Sequence, residues 1–460
     1  MKKIIITILC IGVLSSCQKK LDEYGVSPND PLTTSPALLL SGAEVGTFAN
    51  YTGSLSRISA LFTQQIAGID GQFIDYAKYD LNDNTFTNEW TTIYQGTLVN
   101  VRALSNKYGA SSPYYVGIGK VLTAMNLALA SDLWGDVPYT DALKGLENNF
   151  NAKYDTQADI YNIILPRLLD EAIVELSKPA NSNINIPAAD DLIFHGDVNK
   201  WKSTAYILKA RYSNRLSQID PSGSATKAIN ALGAAQLKSD GSADMMAVFF
   251  DSSTSLNQWS AFINGRPGYI KMGKNFINLL KSTNDPRLPY YATKDDNGDY
   301  TGTAVNGDDN TTSNPGEGIA SNASPLPLVT YAEAKFIEAE AQLRLGQPLL
   351  AANAYNDAVI ASVKKVTGID PSNNFIINNA SETAGTITLE KIITQKYIAL
   401  FTELEPYNDF RRTGFPSLIP NSNGIKPQIP LRLPSSSDER LYNPNATIVT
   451  DVYAPVWWDK

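Results

Sequence analysis

The chain has 460 residues, 46 of them acidic against 38 basic, for a formal charge of −8 with its one histidine neutral. That length can bury a large core and allows two or three domains. An acidic chain without a clustered Lys/Arg run argues against a nucleic-acid partner, and a single histidine excludes a histidine-based metal cluster.

The chain opens with Lys2 and Lys3, then an apolar run from Ile4 to Leu14 that leads into Leu14-Ser15-Ser16-Cys17. A basic start, a short apolar core and small residues at the cut form the pattern of a secretory signal. The run is shorter than the ~20 apolar residues needed to cross a bilayer. Because it ends on a cysteine, it resembles a bacterial lipoprotein signal in which Cys17 becomes the acylated first residue; the alternative is an ordinary signal with an incidental thiol. The expected organisation is a signal peptide over 1–16, a lipidated polar tether over 17–36 and one domain over 37–460. Cys10 leaves with the signal and Cys17 carries lipid, so no thiol remains for a disulfide, a metal or a nucleophile. Nothing after residue 17 reads as a membrane span.

The body reads mostly as α-helix. Amphipathic stretches fall at about 87–106, 115–132, 157–177, 198–217 and 387–404, with Pro166 expected to kink the third. From Tyr331 to Leu345, the residues Ala334, Ile337, Ala341 and Leu345 make one apolar face of a 3.6-residue period. Gly346 suits the end of that helix and Pro348 the first turn of the next, where Ala351, Ala354, Tyr355 and Ala358 permit close packing. Residues Ala339 to Val359 resemble a tetratricopeptide unit.

Between Ser239 and Thr330 the pattern breaks into a long stretch rich in Gly, Asn, Asp, Ser and Pro, far beyond a usual loop of about 4–6 residues. Its aromatics, Phe249, Phe250, Trp259, Phe262, Tyr269, Phe276, Tyr290, Tyr291 and Tyr300, are expected to pack rather than to sit in a disordered segment. Asn297-Gly298 signals a short hairpin. Asp295-Asp296-Asn297-Gly298-Asp299 lacks the spacing and terminal Glu of an EF-hand, so a plain turn is the leading reading and calcium the alternative.

Four ordered blocks carry a family resemblance: Ser131–Tyr139 (SDLWGDVPY), Tyr331–Glu340 (YAEAKFIEAE), Phe410–Pro416 (FRRTGFP), and Ile429–Pro434 (IPLRLP) followed by Asn443-Pro444. With Asn284–Arg287 (NDPR) and the lipoprotein signal, the chain resembles the SusD/RagB family of nutrient-binding outer-membrane lipoproteins. The resemblance implies a mostly α fold of four tetratricopeptide-like helix pairs, with long irregular loops and a few short strands. It implies an outer-membrane, cell-surface location, which Gln18–Glu23 suits, and no cofactor. It also implies a SusC-like TonB-dependent transporter as partner, to which captured oligosaccharide or oligopeptide is delivered. Within the blocks, Trp134, Pro138 and Tyr139 are expected to pack a helix end, with Gly135 permitting the turn. Asp132 and Asp136 read as capping or turn residues, and Arg411 and Arg412 as partners of core carboxylates.

Catalysis finds little support. His195 stands alone, and no motif singles out the carboxylate pair a glycosidase would need; a surface hydrolase and a structural tetratricopeptide scaffold remain the alternatives to a binder. The 23 tyrosines and 6 tryptophans suit recognition of sugar rings or extended peptides. By resemblance the ligand loops are Gly68–Asn84, with Asp70, Gln72, Phe73, Tyr76 and Tyr79, and Asp251–Gly268, with Asn257, Gln258, Trp259, Asn264 and Arg266. The candidate contacts are Gln72, Phe73, Tyr76, Asn257, Trp259, Asn264 and Arg266, with Trp259 stacking on a sugar. If Cys17 carries the anchor, Cys17→Ser will move the protein into soluble fractions. Retention on membranes after a high-salt wash would contradict lipid anchoring.

Overall fold

A computed structural model describes residues 34–460. The signal peptide and Cys17 lie outside the described residues. Four consecutive helix pairs make the scaffold. Helix α1 (Pro36–Thr52) is followed by α2 (Ser54–Phe62), strand β1 (Ile66–Gly68) and the short α3 (Gln72–Ala77). A helical run then passes from α4 (Thr87–Thr91) through a π-helical stretch (Thr92–Leu98) into α5 (Val99–Tyr108), and α1 packs along its second half. The remaining pairs are α6 (Pro113–Trp134) with α7 (Leu165–Leu176), α8 (Val198–Arg215) with α9 (Pro221–Ala234), and α12 (Tyr331–Arg344) with α13 (Pro348–Thr367).

The helix ends follow local chemistry. The Asp197 side chain accepts the N–H groups of Asn199 and Lys200 and starts α8, and Thr330 accepts from Glu333 N to start α12. Proline stands in the first turn of α1, α6, α9 and α13, where its missing N–H costs nothing. Gly346 and Gly368, both at positive φ, close α12 and α13. The α12/α13 pair is held by Ala339, Ala351, Ala354 and Ala358 and by an edge-on contact of Phe336 with Tyr355 at 6.3 Å.

Several expectations change. Helix α6 is long and apolar enough to cross a membrane, contrary to the sequence reading, yet it is buried on nearly all sides as the central core helix. Pro166 falls in the first turn of α7, directly after a π-helical stretch (Ile160–Ile164), so a change of helix type stands where a mid-helix kink was expected. The helix expected over 387–404 is α14 (Leu389–Ala399); a turn through Thr402 at φ +79° separates it from α15 (Glu405–Thr413).

The region 239–330 is built from short pieces: β2 (Met245–Ala247), α10 (Gln258–Gly265), β3 (Ile270–Met272), α11 (Lys274–Ser282) and β4 (Leu326–Val329). Strand β3 pairs antiparallel with β1, Gly68 opposite Ile270, and β2 pairs with β4. Most of its aromatics are buried or half-buried, but Phe250 is exposed and Tyr290 sits at the surface. Asn297-Gly298 makes the expected tight turn, with Asp295 N–H donating to Asp299 O at 2.7 Å, but no strands flank it.

A lattice of buried ion pairs runs through the core and uses the family blocks. Arg211 on α8 pairs with Glu333, its Nε donating at 2.6 Å. Arg215 donates to both oxygens of Glu405 at 2.8 Å and to Asp132 at 3.2 Å. Arg412 is held between Glu340 and Asp409, at 2.8 Å to each, and Lys396 reaches Asp409 at 2.8 Å. Asp132 also accepts from Tyr161 and from Trp458 Nε1. It is therefore a core ion rather than a cap, a correction to the sequence reading; Asp136 does take the turn role, accepting Gln157 N–H at 2.8 Å. Arg411 bonds the carbonyls of Asp132 and Leu431 and stacks on Tyr407 and Trp458.

Burial alone would raise the Asp409 carboxyl, but Lys396, Arg412 and Arg215 outweigh it and hold it at about 2. Since this folded value lies below the unfolded one, its stabilisation is present above about pH 4 and is lost as pH falls towards 2. Removing one partner from such a lattice strands a buried charge. Arg412→Met is expected to cost about 3–5 kcal/mol in urea unfolding; a loss under about 1 kcal/mol would make the lattice incidental.

Candidate ligand-binding face

The two expected ligand loops meet. Strand β1 runs into α3, β3 follows α10, and the β1/β3 pairing fixes one loop beside the other. Ile69 N–H donates to Tyr269 O at 3.0 Å, and a Cβ on Gly71, at φ +51°, would strike the Tyr269 ring. Beneath the junction lies an aromatic cluster: Phe73 is 5.1 Å from Phe262 and 5.4 Å from Tyr76, and Phe262 is 6.3 Å from Tyr269.

This packing sorts the candidate residues. Gln72, Asn264 and Arg266 are exposed, and Tyr76 is half-buried on the same junction. Asn264 Nδ2 donates to Ser260 Oγ at 3.2 Å, and the Arg266 guanidinium lies 5.6 Å over Phe262. Trp259, Asn257 and Phe73 are corrected from ligand contacts to core residues. Trp259 is 0% exposed; its Nε1 donates to Ser56 Oγ at 3.1 Å and its ring packs edge-on against Phe401. Asn257 caps α10: its Oδ1 accepts from Trp259 N and Ser260 N, and its Nδ2 donates to Ile319 O and Ser324 O, so every polar atom is occupied. That cap orients the first turn of α10 and sends Trp259 inward. Phe73 is the floor of the aromatic cluster, 1% exposed.

The sequence reading missed two members of the face. Tyr269 is half-buried beside Gly71. Arg57, the one charged residue of α2, is 8% exposed; its guanidinium lies 4.4 Å over Phe262 and donates to Gln258 O at 3.0 Å. Its Nε has no hydrogen-bond partner, nor has Glu89 Oε2 nearby, and the two form no salt bridge. Burial pulls Arg57 down to about 9 against the attraction of Glu89, with Arg266 pulling the same way. The lone arginine within Leu55–Phe62 was the signal available in the sequence. Together the face offers guanidinium and amide donors, the exposed carboxylates of Asp70 and Asp75, and two half-buried tyrosines: the chemistry of hydroxyl recognition, with no nucleophile–base pair.

Other candidates fall elsewhere. His195 is exposed at φ +53° in the turn before α8. Asp295 accepts the N–H groups of Asn297 and Asp299, which hold its carboxyl below the usual range, so the acidic run is used in a turn. No group of three metal-ligating side chains occurs among the described residues. Two cavities of about 500 Å³, one lined by Tyr161, Tyr206 and Tyr212 and one by Arg102, Tyr139 and Arg167, share no residue with the two loops.

The SusD-like family, described as starch-binding and associating with the outer membrane, matches residues 28–434. Among solved structures, a SusD/RagB family protein from Bacteroides thetaiotaomicron is 24% identical, with 93% of this chain and 99% of that chain covered and a TM-score of 0.77. A chitin-binding protein is 25% identical over 93% and 100%, with a TM-score of 0.78. A chitin-binding SusD homolog from Flavobacterium johnsoniae is 21% identical over 92% and 98%, also at 0.78. No protein of curated function matches the chain.

The corrected position of Trp259 has a direct consequence. Trp259→Ala is expected to cost about 3–5 kcal/mol of stability by opening a core cavity, seen as a lowered melting temperature; an unchanged melting temperature would return the ring to the surface.

Proposed function

Because the chain belongs to the SusD-like family, starch-binding proteins that associate with the outer membrane, we propose that it is a non-catalytic lipoprotein. In this reading it captures oligosaccharide on the face formed by the 68–76 and 258–269 loops and hands it to a SusC-like TonB-dependent transporter. The observation that carries the reading is the junction itself. Two segments nearly two hundred residues apart are joined by β1/β3, and they present Gln72, Tyr76, Asn264, Arg266 and Tyr269 over one buried aromatic floor. Half-buried tyrosine rings suit the apolar face of a pyranose, and amide and guanidinium donors suit its hydroxyls. The chitin-binding relatives make chito-oligosaccharides a natural probe beside malto-oligosaccharides. Acylation at Cys17 supplies the tether to the outer membrane.

An oligopeptide is the second ligand class, since Asp70, Asp75 and Arg266 could meet charged termini. Calorimetry with the two oligosaccharide series and a peptide pool separates the classes. Gln72→Ala combined with Arg266→Ala is expected to weaken oligosaccharide binding by about thirtyfold, the ~2 kcal/mol of a central contact, with melting temperature unchanged. Binding of peptide alone would replace the ligand class. Turnover of a probe would replace the binder with a hydrolase, and co-purification with a transporter without any ligand would favour a scaffold.

A further inference from the structure

Strand β4, α13 and the turn between α14 and α15 enclose a cavity of about 380 Å³ that shares no lining residue with the two ligand loops and falls within the range of small-molecule sites. Ile319, Leu326, Val366, Ala399 and Phe401 give it apolar walls. Two consecutive turn residues, Thr402 and Glu403, also line it, and they are 1% and 5% exposed. Thr402 Oγ1 and Glu403 Oε1 are buried without a hydrogen-bond partner. Among the described residues no ion pair reaches the Glu403 carboxyl, although every other carboxylate of this part of the core has its cation.

The turn is not a loose segment. Thr402 holds φ +79°, a strained conformation for a β-branched residue. Hydrogen bonds from Ser56 Oγ to Thr402 O and from Ser59 Oγ to Glu403 O, the latter 3.2 Å, pin it to α2. A strained, pinned turn that presents two buried polar groups without partners is the kind of feature that marks a binding site.

The surrounding charges select the sign of the ligand. Glu333 and Glu405 lie close enough to act on Glu403, and the two cations that also reach it are engaged: Arg211 with Glu333, and Lys365 with Asp244 at 2.6 Å. Glu403 is the carboxyl that lines the cavity, and Lys365, on the same lining, is spent on Asp244, so an anion would meet an unpaired carboxyl and a sugar would meet mostly apolar wall. We propose that the cavity binds a small primary ammonium with an apolar body, its N–H groups bonded to Glu403 and Thr402 and its body against Ile319, Leu326 and Val366. Burial, Glu333 and Glu405 raise the Glu403 carboxyl well above the ordinary range. The acid therefore gives its proton to solvent as the ammonium arrives, and affinity rises with pH.

Benzylammonium and its uncharged counterpart benzyl alcohol test this by calorimetry on the full mature protein. Expected is benzylammonium binding at least about tenfold tighter than the alcohol, strengthening as pH rises, with proton release into the buffer. Glu403→Gln should abolish the preference and the pH dependence. Should that variant fail to fold, Val366→Trp, which fills the cavity from its wall, should block benzylammonium. Equal binding of the alcohol, undiminished binding by Glu403→Gln or Val366→Trp, or no binding at all, leaving a water-filled cavity only, would overturn the assignment. Oligosaccharide binding at the two loops plays no part in any of these outcomes.

Discussion

Helices from across the chain are locked together by the buried ion lattice that joins Asp132 of α6, Arg215 of α8, Glu340 of α12, Lys396 of α14, and Asp409 and Arg412 of α15. Charges so deep are costly alone, because the desolvation of each exceeds what a single partner returns. Shared among several partners, and joined by Tyr161, Asn408 and Trp458, they are satisfied in only one arrangement of the helices. An apolar core of the same volume could slide by a turn; this one cannot without stranding ions. The lattice therefore acts as a registration device for three of the four helix pairs, through α6, α8 and α12, and for α14 and α15.

The ligand face inherits its geometry from that device. Helix α15 is fixed by Asp409 and Arg412 and packs on α2, with Tyr407 5.6 Å from Phe62. Helix α2 carries Arg57 and feeds β1, and β1 holds β3 and so brings α10 and Tyr269 to the 68–76 loop. Three-residue strands are weak by themselves. Here they close on a scaffold already rigid, so a small sheet suffices to set two exposed loops against each other. The irregular region, with its short helices and many turns, is the part free to vary its side chains without disturbing the lattice.

Much of this was legible in the sequence, and the losses have physical causes. Helices announced by a period and a terminal signal, such as the one over Tyr331–Leu345 with Gly346 after it and the one opened by Pro348, were readable because the signals are local. The role of Arg412 as partner of core carboxylates was readable from its place at a helix end, whereas Arg411, expected to do the same, bonds backbone carbonyls instead. The pairing of Ile66–Gly68 with Ile270–Met272 was not, since three residues carry no period and the partners lie some two hundred positions apart. Trp259 was misjudged because an exposed loop and a capped helix look alike until Asn257 is seen to spend both ends of its amide on the backbone. Asp132 was misjudged because a neighbouring Gly and Pro suggest a turn, whereas its partners Arg215 and Trp458 come from distant segments. Arg57 escaped notice as one charge on an otherwise uncharged helix.

The central claim is that ligand is held at the junction of the 68–76 and 258–269 loops, and hydrogen exchange followed by mass spectrometry reads it directly. With saturating chito- or malto-oligosaccharide, backbone amides of Ile69–Tyr76 and Gln258–Tyr269 should slow, while those of α12 and α13 stay unchanged. Protection confined to the helix pairs, with the two loops exchanging as in the free protein, would contradict the account.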